Sequence, residues 1–199
     1  MTQYSQIKAD PMAIARLLKD EHGNTPKGLP PVHKWNPDFC GDINMQINAN
    51  GQWLYMCTPI GRPALVKLFS SILRHDADDC FYLITPVEKV RIVVDDAPFI
   101  ATLVTKVLDE GVEFLRFTTL TEDVIVLDAE HPLWVNYDAP DGEPRPYIHV
   151  RDRLDALIHR NVFYQLVEWA TVQEIDGKLF YEVQSAGQWF VIAPSESDV

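Results

Sequence analysis

Cysteine is scarce in this sequence, and its scarcity excludes two classes of fold. The chain of 199 residues has three cysteines, Cys40, Cys57 and Cys80. An odd number with such wide gaps fits neither a disulfide framework nor the ligand spacing of a zinc site. We therefore expect three buried thiols that behave as small apolar side chains, with a redox-active thiol as the alternative.

Positive charge and long apolar runs are also in short supply. The sequence has 17 Lys and Arg residues against 29 Asp and Glu residues, a net charge of −12, and such a surface repels the phosphate backbone of nucleic acids. No stretch approaches the ~18 apolar residues of a membrane span, and the first residues lack the basic, apolar and cleavage regions of a secretory signal. These absences predict a cytoplasmic protein with no membrane span and no nucleic-acid partner.

Motifs for metals and for common catalytic sites are missing as well. The sequence contains neither HExxH nor GxSxG, so it predicts no zinc protease site and no esterase nucleophile. The acidic stretch "RHDADDC" lacks the glycine and glutamate that a calcium-binding EF-hand needs, which leaves a solvated turn. We expect no cofactor and no metal, and no catalytic residue is assigned.

The elements that are present predict an α+β protein with an N-terminal segment and two repeat domains. In residues 1–34, "MAIARLLK" indicates a helix with Asp10 as its cap and Pro11 at its first position, followed by a Pro-rich connector. Residues 35–97 form the first α+β repeat domain, and residues 98–199 form a second, larger one. Each combines short strands, turn residues and one helix.

Strands are predicted where β-branched and aromatic residues run between turn signals. In chain order they are "DINMQI" and "QWLYM" across the Asn50–Gly51 turn, "CFYLIT", "VEKVRIVV", a meander over 99–127, "YIHV", and a final hairpin of "KLFYEVQ" and "GQWFVIA". The polar loop 138–146 precedes "YIHV", and a basic and acidic link follows it.

Two segments with the same apolar pattern indicate an internal duplication. "IGRPALVKLFSSI", residues 60–72, aligns with "IHRNVFYQLVEWA", residues 158–170. Each has an apolar stripe spaced as one face of a helix: Leu65, Leu68, Phe69 and Ile72 in the first, and Phe163, Leu166, Val167 and Ala170 in the second. Further matches follow at Phe81–Tyr82 with Phe180–Tyr181, and at Ile92 with Ile192. The pattern predicts a duplicated helix–strand–strand unit, with chance similarity of two amphipathic helices as the alternative.

The stretch "CTPIGRPALVKLFSSIL" places Arg62 immediately before the first of these helices. Pro63 removes an N–H group that a phosphate-binding loop would use, and proline is common at the first position of a helix. A guanidinium at a helix N-terminus is disfavoured unless an anion faces it. We expect a structural carboxylate there, with an anionic ligand as the alternative.

Other basic residues form a candidate site in this acidic chain. Lys89 and Arg91 lie on one face of a predicted strand, and "YIHVRDRLDALIHR" concentrates further positive charge. The candidates for one convergent site are Arg62, Lys89, Arg91, Arg151, Arg153 and Arg160, with Tyr147 and His149 in the same segment. Structural salt bridges across the sheets are the favoured alternative.

Three longer blocks resemble a known bacterial family, domain of unknown function 1285. They are "WNPDFCGDINMQINANGQWLYMCTPIGRPALVKLFSSIL", "LITPVEKVRIVVDDAPF" and "YIHVRDRLDALIHRNVFYQLVE", and the similarity runs from Trp35 to the end. The resemblance implies a duplicated α+β core, a C-terminal half similar to pleckstrin-homology folds, a ligand pocket between the halves and a role in nutrient-linked signalling. The pocket residues that it implies are Thr85, Glu88, Lys89, Arg91, Arg151 and Arg160.

The leading hypothesis is a non-enzymatic cytoplasmic module that binds a small anionic ligand or a peptide where its repeats meet. Basic residues at equivalent places in an acidic chain motivate it. An enzyme that uses Glu88 or His149 as acid and base is the first alternative. An interaction scaffold that binds a protein partner through a Trp-rich surface or a sheet edge is the second.

Overall fold

The chain divides into two units at Asp96. The computed structural model describes residues 11–17, 28–138 and 143–194. Unit 1 is Met1–Asp96 and unit 2 is Ala97–Val199. The predicted N-terminal helix is present as α1, Pro11–Leu17, with proline at its first position. The predicted cap Asp10 and the connector residues 18–27 lie outside the described residues.

Unit 1 is a mixed sheet with one helix inserted between its two halves. Helix α2 is Pro63–Ser71, and a 3₁₀ helix is Val32–Lys34. The strands are β1 Phe39–Ile47, β2 Trp53–Tyr55, β3 Thr58–Pro59, β4 Leu73–His75, β5 Phe81–Ile84 and β6 Lys89–Val94. Their order is β3-β2-β1-β6-β5-β4, and only the central pair, β1 with β6, is parallel.

The described residues of unit 2 form two sheets and one helix, α3, Arg160–Trp169. The strands are β7 Phe99–Asp109, β8 Val112–Thr119, β9 Val124–Val126, β10 Leu133–Asn136, β11 Arg145–Arg151, β12 Leu154–Ile158, β13 Thr171–Ile175, β14 Lys178–Ser185 and β15 Gln188–Pro194. The first sheet has the order β10-β11-β12-β7-β8-β9, with β12 parallel to β7. The second has the order β13-β14-β15.

The two six-stranded sheets share one topology. In each, the first and last strands lie side by side and parallel at the centre, and an antiparallel meander extends to either side. A smaller repeat is also present, since α2 and α3 are each followed by three antiparallel strands. The predicted helix–strand–strand order therefore occurs in both units. One further short strand, β4 or β13, follows each helix.

Strand register is also the same in the two smaller repeats, each of which is a helix followed by three strands. Leu73 pairs with Leu83 where β4 meets β5, and Thr171 pairs with Glu182 where β13 meets β14. In both, the second aromatic of the Phe–Tyr pair lies opposite the second residue of the short strand. The equivalent of the buried Leu83 is thus Glu182, an acid in the position of a core leucine.

The apolar stripe predicted for α2 is correct, and the one predicted for α3 is correct only in part. Leu68, Phe69 and Ile72 are buried around α2. On α3 the buried residues are Val162 and Leu166, whereas Val167 is 42% exposed. The buried row of α3 therefore shares Leu166 with the stripe that alignment with α2 indicates, but it is turned towards Val162 and away from Val167.

Each unit has a buried contact that joins separate elements. In unit 1, Trp53 of β2 stacks on Phe69 of α2 with ring centroids 6.1 Å apart. In unit 2, the buried hydroxyl of Ser185 donates to the Leu127 carbonyl at 2.6 Å and accepts from the Leu115 amide at 2.9 Å. The end of β14 is thereby tied to β8 of the other sheet, because two buried backbone groups depend on one hydroxyl.

Most predicted strands are confirmed, and several short ones were missed. The Asn50–Gly51 hairpin, the pair β5–β6, the meander of β7 to β9 and the final hairpin all form. The strands that the sequence did not predict are β3, β4, β10, β12 and β13. The segment taken as a basic and acidic link is β12, in which Leu154, Ala156 and Ile158 alternate inward.

The expectation of three buried thiols is wrong. All three cysteines are free; Cys57 is exposed, and Cys40 and Cys80 are half-buried. Cys57 lies with Met56 in the two-residue turn between β2 and β3, and both have positive φ, 61° and 49°. Two-residue hairpins of this kind require left-handed backbone at both central positions, which favours glycine at the second.

We predict that Cys57→Gly stabilises unit 1 by about 1 kcal/mol, because a left-handed conformation costs a residue with a Cβ about that much. The converse change is Gly111→Ala in the equivalent turn between β7 and β8, where φ is 84° and an added Cβ meets nothing within 4 Å. It should destabilise unit 2 by a similar amount. Urea unfolding measures both, and a loss of stability in Cys57→Gly would contradict the prediction.

Candidate functional site

Lys89 belongs to an ionic network in unit 1 that is centred on the carboxylate of Asp76. Its Nζ is 2.6 Å from Asp76, whose carboxylate also accepts two hydrogen bonds from Arg74 at 2.5 and 3.0 Å. The three side chains are 16–19% exposed. Burial alone would raise the pKa of Asp76, but the hydrogen bonds from Arg74 and Lys89 outweigh it and hold that pKa below its usual value.

The same network reaches the segment before β1 and the aromatic Tyr82. Arg74 also donates to the carbonyls of Val32 and Trp35 at 3.2 and 2.7 Å. Lys89 Nζ lies 3.9 Å from the centroid of the Tyr82 ring. The Tyr82 hydroxyl donates to Asp78 at 2.6 Å, and this hydrogen bond raises the pKa of the phenol. The solvated turn predicted for "RHDADDC" is therefore correct for the exposed Asp78 and Asp79 but wrong for Asp76, which is half-buried between two cations.

Arg91 is held by a carboxylate across the central parallel pair of strands. Its Nε and Nη2 donate to the two oxygens of Asp42 on β1 at 2.7 and 2.9 Å. The hydrogen bond to Asp42, and to a smaller extent the one to Cys80, raises the pKa of Arg91 above its ordinary value. Arg91 lines a cleft of about 450 Å³ that Asp42, Asp79 and Cys80 also border.

Thr85 and Glu88 form the turn between β5 and β6. The buried Thr85 hydroxyl accepts from the amides of Val87 and Glu88 at 3.3 and 3.0 Å. The Thr85 amide donates to the Glu88 carbonyl at 2.9 Å. The Thr85 side chain thus closes its own turn, and this local structure accounts for a buried threonine here.

Arg62 is the cap residue of α2 and lines a second cleft of about 320 Å³. Its Nη2 lies 3.2 Å from the sulfur of Met12 on α1. Within the described ranges, no carboxylate pairs with Arg62, so the structural carboxylate that the sequence predicted for it is not there. The remaining lining residues are Pro11, Tyr55, Thr58, Pro59, Ile60, Gly61 and Leu65.

In unit 2, His149 and Tyr147 lie on one face of β11. His149 Nδ1 is 2.9 Å from Asp155 on β12, and its ring centroid is 6.3 Å from that of His131. Tyr147 is buried and stacks on Trp134 with centroids 4.4 Å apart.

His131 has its own acidic partner at the start of this face. Its Nδ1 lies 3.1 Å from Asp128, and its amide donates to the same oxygen at 2.8 Å. Burial would raise the pKa of Asp128, but hydrogen bonds from the His131 amide and ring and the Glu130 amide lower it. This face therefore presents two histidine–aspartate pairs beside an aromatic stack.

Two of the predicted cations of unit 2, Arg151 and Arg160, each have an acidic partner. Arg151 Nη1 donates to Asp123 at 2.9 Å, and the other oxygen of Asp123 accepts from Thr119 and Thr121 at 3.0 and 2.6 Å. Arg160, the first residue of α3, pairs with Glu143 at the surface. Both contacts fit the structural salt bridges weighed as the alternative explanation.

The predicted site residues are thus brought together only in part. Lys89 and Arg91 are neighbours on one sheet face, while Arg62 and Arg91 line different clefts of unit 1. The pocket between the two halves stays a prediction, as does an acid–base role for Glu88 or His149. No group of three or more His, Cys, Asp or Glu side chains in the described ranges could hold a metal ion. None of the helices seen there is long and apolar enough to cross a membrane.

Two family models match most of the chain. Residues 30–97 match the family model described as domain of unknown function DUF1285, N-terminal domain, and residues 98–192 match the DUF1285 C-terminal domain. The chain belongs to the DUF1285 family. The resemblance seen in the sequence is thereby confirmed, and the repeat of sheet topology fits the two domains of the family.

Two DUF1285 crystal structures are similar to this chain. One, from Silicibacter pomeroyi DSS-3, is 44% identical with a TM-score of 0.81 and covers 94% of this chain and 96% of that one. The other, from Shewanella baltica OS155, is 29% identical with a TM-score of 0.52 and covers 63% of this chain and 91% of that one. No curated protein matches the chain.

The residues that sequence reasoning missed are the acidic partners. Asp42, Asp76 and Asp123 each neutralise a predicted site cation, yet none was singled out as a partner. One signal was available: Arg74 and Asp76 lie two residues apart, as side chains on one face of a strand do. The pairing of Asp42 with Arg91 joins positions 49 residues apart, and strand order alone reveals it.

We predict that Asp76→Asn destabilises unit 1 by about 2 kcal/mol, because it leaves two half-buried cations without their counter-charge. The pKa of Asp76 is lowered in the folded state. The contribution of Asp76 to the free energy of unfolding is therefore present above the ordinary carboxyl pKa. It is lost as pH falls through the pKa that Asp76 has in the folded state. Urea unfolding from about pH 7 down to about pH 3 measures this loss.

The matched control is Asp79→Asn in the same turn. Asp79 has a side chain that is 79% exposed and lies 3.9 Å from His75, so its replacement should cost less than about 0.5 kcal/mol. An equal loss in both variants, or a loss in Asp76→Asn that does not shrink at low pH, would contradict the assignment.

Proposed function

We propose that the protein is a non-enzymatic cytoplasmic module of bacterial signal transduction that binds a small anionic ligand or the anionic group of a peptide. One observation carries the proposal. Among the predicted cations of unit 1, Lys89 and Arg91 are neutralised by carboxylates, whereas Arg62 pairs with none in the described ranges and borders a cleft.

The Arg62 cleft has the size and composition of a small-molecule site. Its volume of about 320 Å³ lies within the range of about 300–1,000 Å³ that such sites occupy. Met12 and Leu65 line the cleft with apolar side chains, and Tyr55 and Thr58 line it with side chains that carry hydroxyl groups. An anion beside Arg62 would also lie near the start of α2, which has no side-chain cap and where the helix dipole favours negative charge.

The fold of unit 2 is part of the same proposal. We infer a pleckstrin-homology-like barrel for unit 2. The support is that its two sheets meet where β14 packs on β8 and β15 packs on β10, with α3 against β7 and β14. The signalling role rests on the family resemblance alone, because a fold does not specify a function.

We predict that inorganic phosphate or succinate, used as anionic probes, binds at Arg62 and stabilises unit 1. At a hundred times its Kd a probe adds about 2.7 kcal/mol, which raises Tm by several degrees in a protein of this size. Arg62→Gln should weaken binding at least about tenfold, because the charge that recognises the anion is removed. Isothermal titration calorimetry and thermal unfolding measure the two effects.

The matched control is Arg116→Gln on β8. Arg116 is exposed and pairs with no carboxylate in the ranges described, so its replacement removes the same charge away from the cleft. Equal weakening in both variants would show a general charge effect. Absence of heat and of stabilisation with both probes would contradict the small-anion form of the proposal.

A further inference from the structure

The outer edge of β13 has open backbone hydrogen-bonding groups. β13 pairs with β14 on one side only, since the sheet order is β13-β14-β15. Four of its five residues are exposed. No backbone hydrogen bond from the described residues reaches its other side. An unpaired row of N–H and C=O groups of this length is a template on which another strand can add.

The other sheet edges are short or covered. β3 has two residues, and β4 and β9 have three each. The edge strand β15 packs on β10, and the Tyr137 hydroxyl donates to its Ile192 carbonyl at 2.7 Å. Proteins blunt edges in these ways to prevent strand addition. β13 has none of these protections among the residues described.

One face beside this edge is apolar and exposed. Val172 pairs with Tyr181, and Glu174 pairs with Leu179, so these side chains share a face. Val172 is 48% exposed, Leu179 38% and Tyr181 36%. We call Val172, Leu179 and Tyr181 the β13 strip. An added strand with apolar residues at alternate positions would cover it.

The charge around the edge is negative. Between Glu168 and Glu182 there are four acids, Glu168, Glu174, Asp176 and Glu182, and one base, Lys178. Glu182 is only 6% exposed, and its carboxylate forms no hydrogen bond or ion pair with any residue that the structure describes. The Glu182 oxygens are not among the fully buried polar atoms that lack a partner in the described residues, so they reach solvent, where a cation of a partner could pair with them.

Strand register indicates which position of an added strand would carry that cation. Glu182 lies directly opposite Thr171 of β13. A residue of an added strand opposite Thr171 would therefore lie in line with Glu182, and a long lysine or arginine side chain could extend over the small threonine. A second copy of this chain fits poorly, because it would bring the same acids together in a protein of net charge −12.

We propose that β13 is the docking edge for an extended basic segment of a partner protein, which adds to the sheet as a fourth strand. Its apolar residues lie on the β13 strip, and its lysine or arginine residues lie on the face of Thr171 and Glu182. The proposal goes beyond the anion site and concerns a different unit, so either can fail without the other.

The test uses a fluorescein-labelled peptide of alternating lysine and valine, with a glutamate–valine peptide for comparison. Fluorescence anisotropy should show saturable binding of the lysine peptide that weakens with added NaCl, and no binding of the glutamate peptide. Val172→Lys, which places a charge on the strip, and Glu182→Gln should each weaken binding at least about tenfold.

Two exposed residues of the same unit provide matched controls. Val112→Lys on β8, where Val112 is 42% exposed, and Glu130→Gln in an exposed turn should leave binding unchanged. Hydrogen exchange should also show that the peptide protects the amides of 171–175.

Three results would overturn the proposal. The first is no binding of the lysine peptide at millimolar concentration. The second is an equal loss of binding in the control variants, which would mean that net charge alone attracts the peptide. The third is a dimer that Val172→Lys dissociates, because the edge would then be occupied by a second copy.

Discussion

Two half-buried cations in unit 1 depend on a single carboxylate, that of Asp76. Lys89 belongs to a central strand and Arg74 to an edge strand, so this one acid joins β6 to β4. Through Arg74 it also fixes the carbonyls of Val32 and Trp35, which precede the sheet. Because burying a cation without a counter-charge is costly, the position of residues 32–35 against the sheet follows from the position of Asp76.

Charge pairing of this kind explains why residue type was a poor guide to a binding site. Lysine and arginine in apolar strands indicate either a ligand or a buried acid, and the sequence separates the two only if the acid can be located. Here Asp42 and Asp76 serve unit 1, while Asp123 and Glu143 serve unit 2. Arg62 differs because its position at the start of a helix brings it beside a methionine sulfur.

Local signals predicted much of the fold. Pro63 marks the start of α2, Gly51 takes the positive φ of its hairpin, and Lys89 and Arg91 share a face as alternation requires. The sequence could not show the very short strands β3 and β4, whose pairing is decided by neighbours. Nor could it show the buried face of α3 in full, because the buried Val162 is as apolar as Val167, which was chosen and is exposed. Which acid pairs with which cation depends on strand order, and no local sequence pattern contains that information.

The parallel pairing of first and last strands has a consequence for how each unit is made. As the chain leaves the ribosome, β1 and β7 cannot form their parallel pairs until β6 and β12 have been synthesised, since β6 and β12 are the last strands of their sheets. Neither sheet can close from its N-terminal part, and loop closure over some fifty residues slows the step. A chain cut before Val94 would lose a central strand, so the boundary between the family's two domains falls at the earliest point where unit 1 is complete.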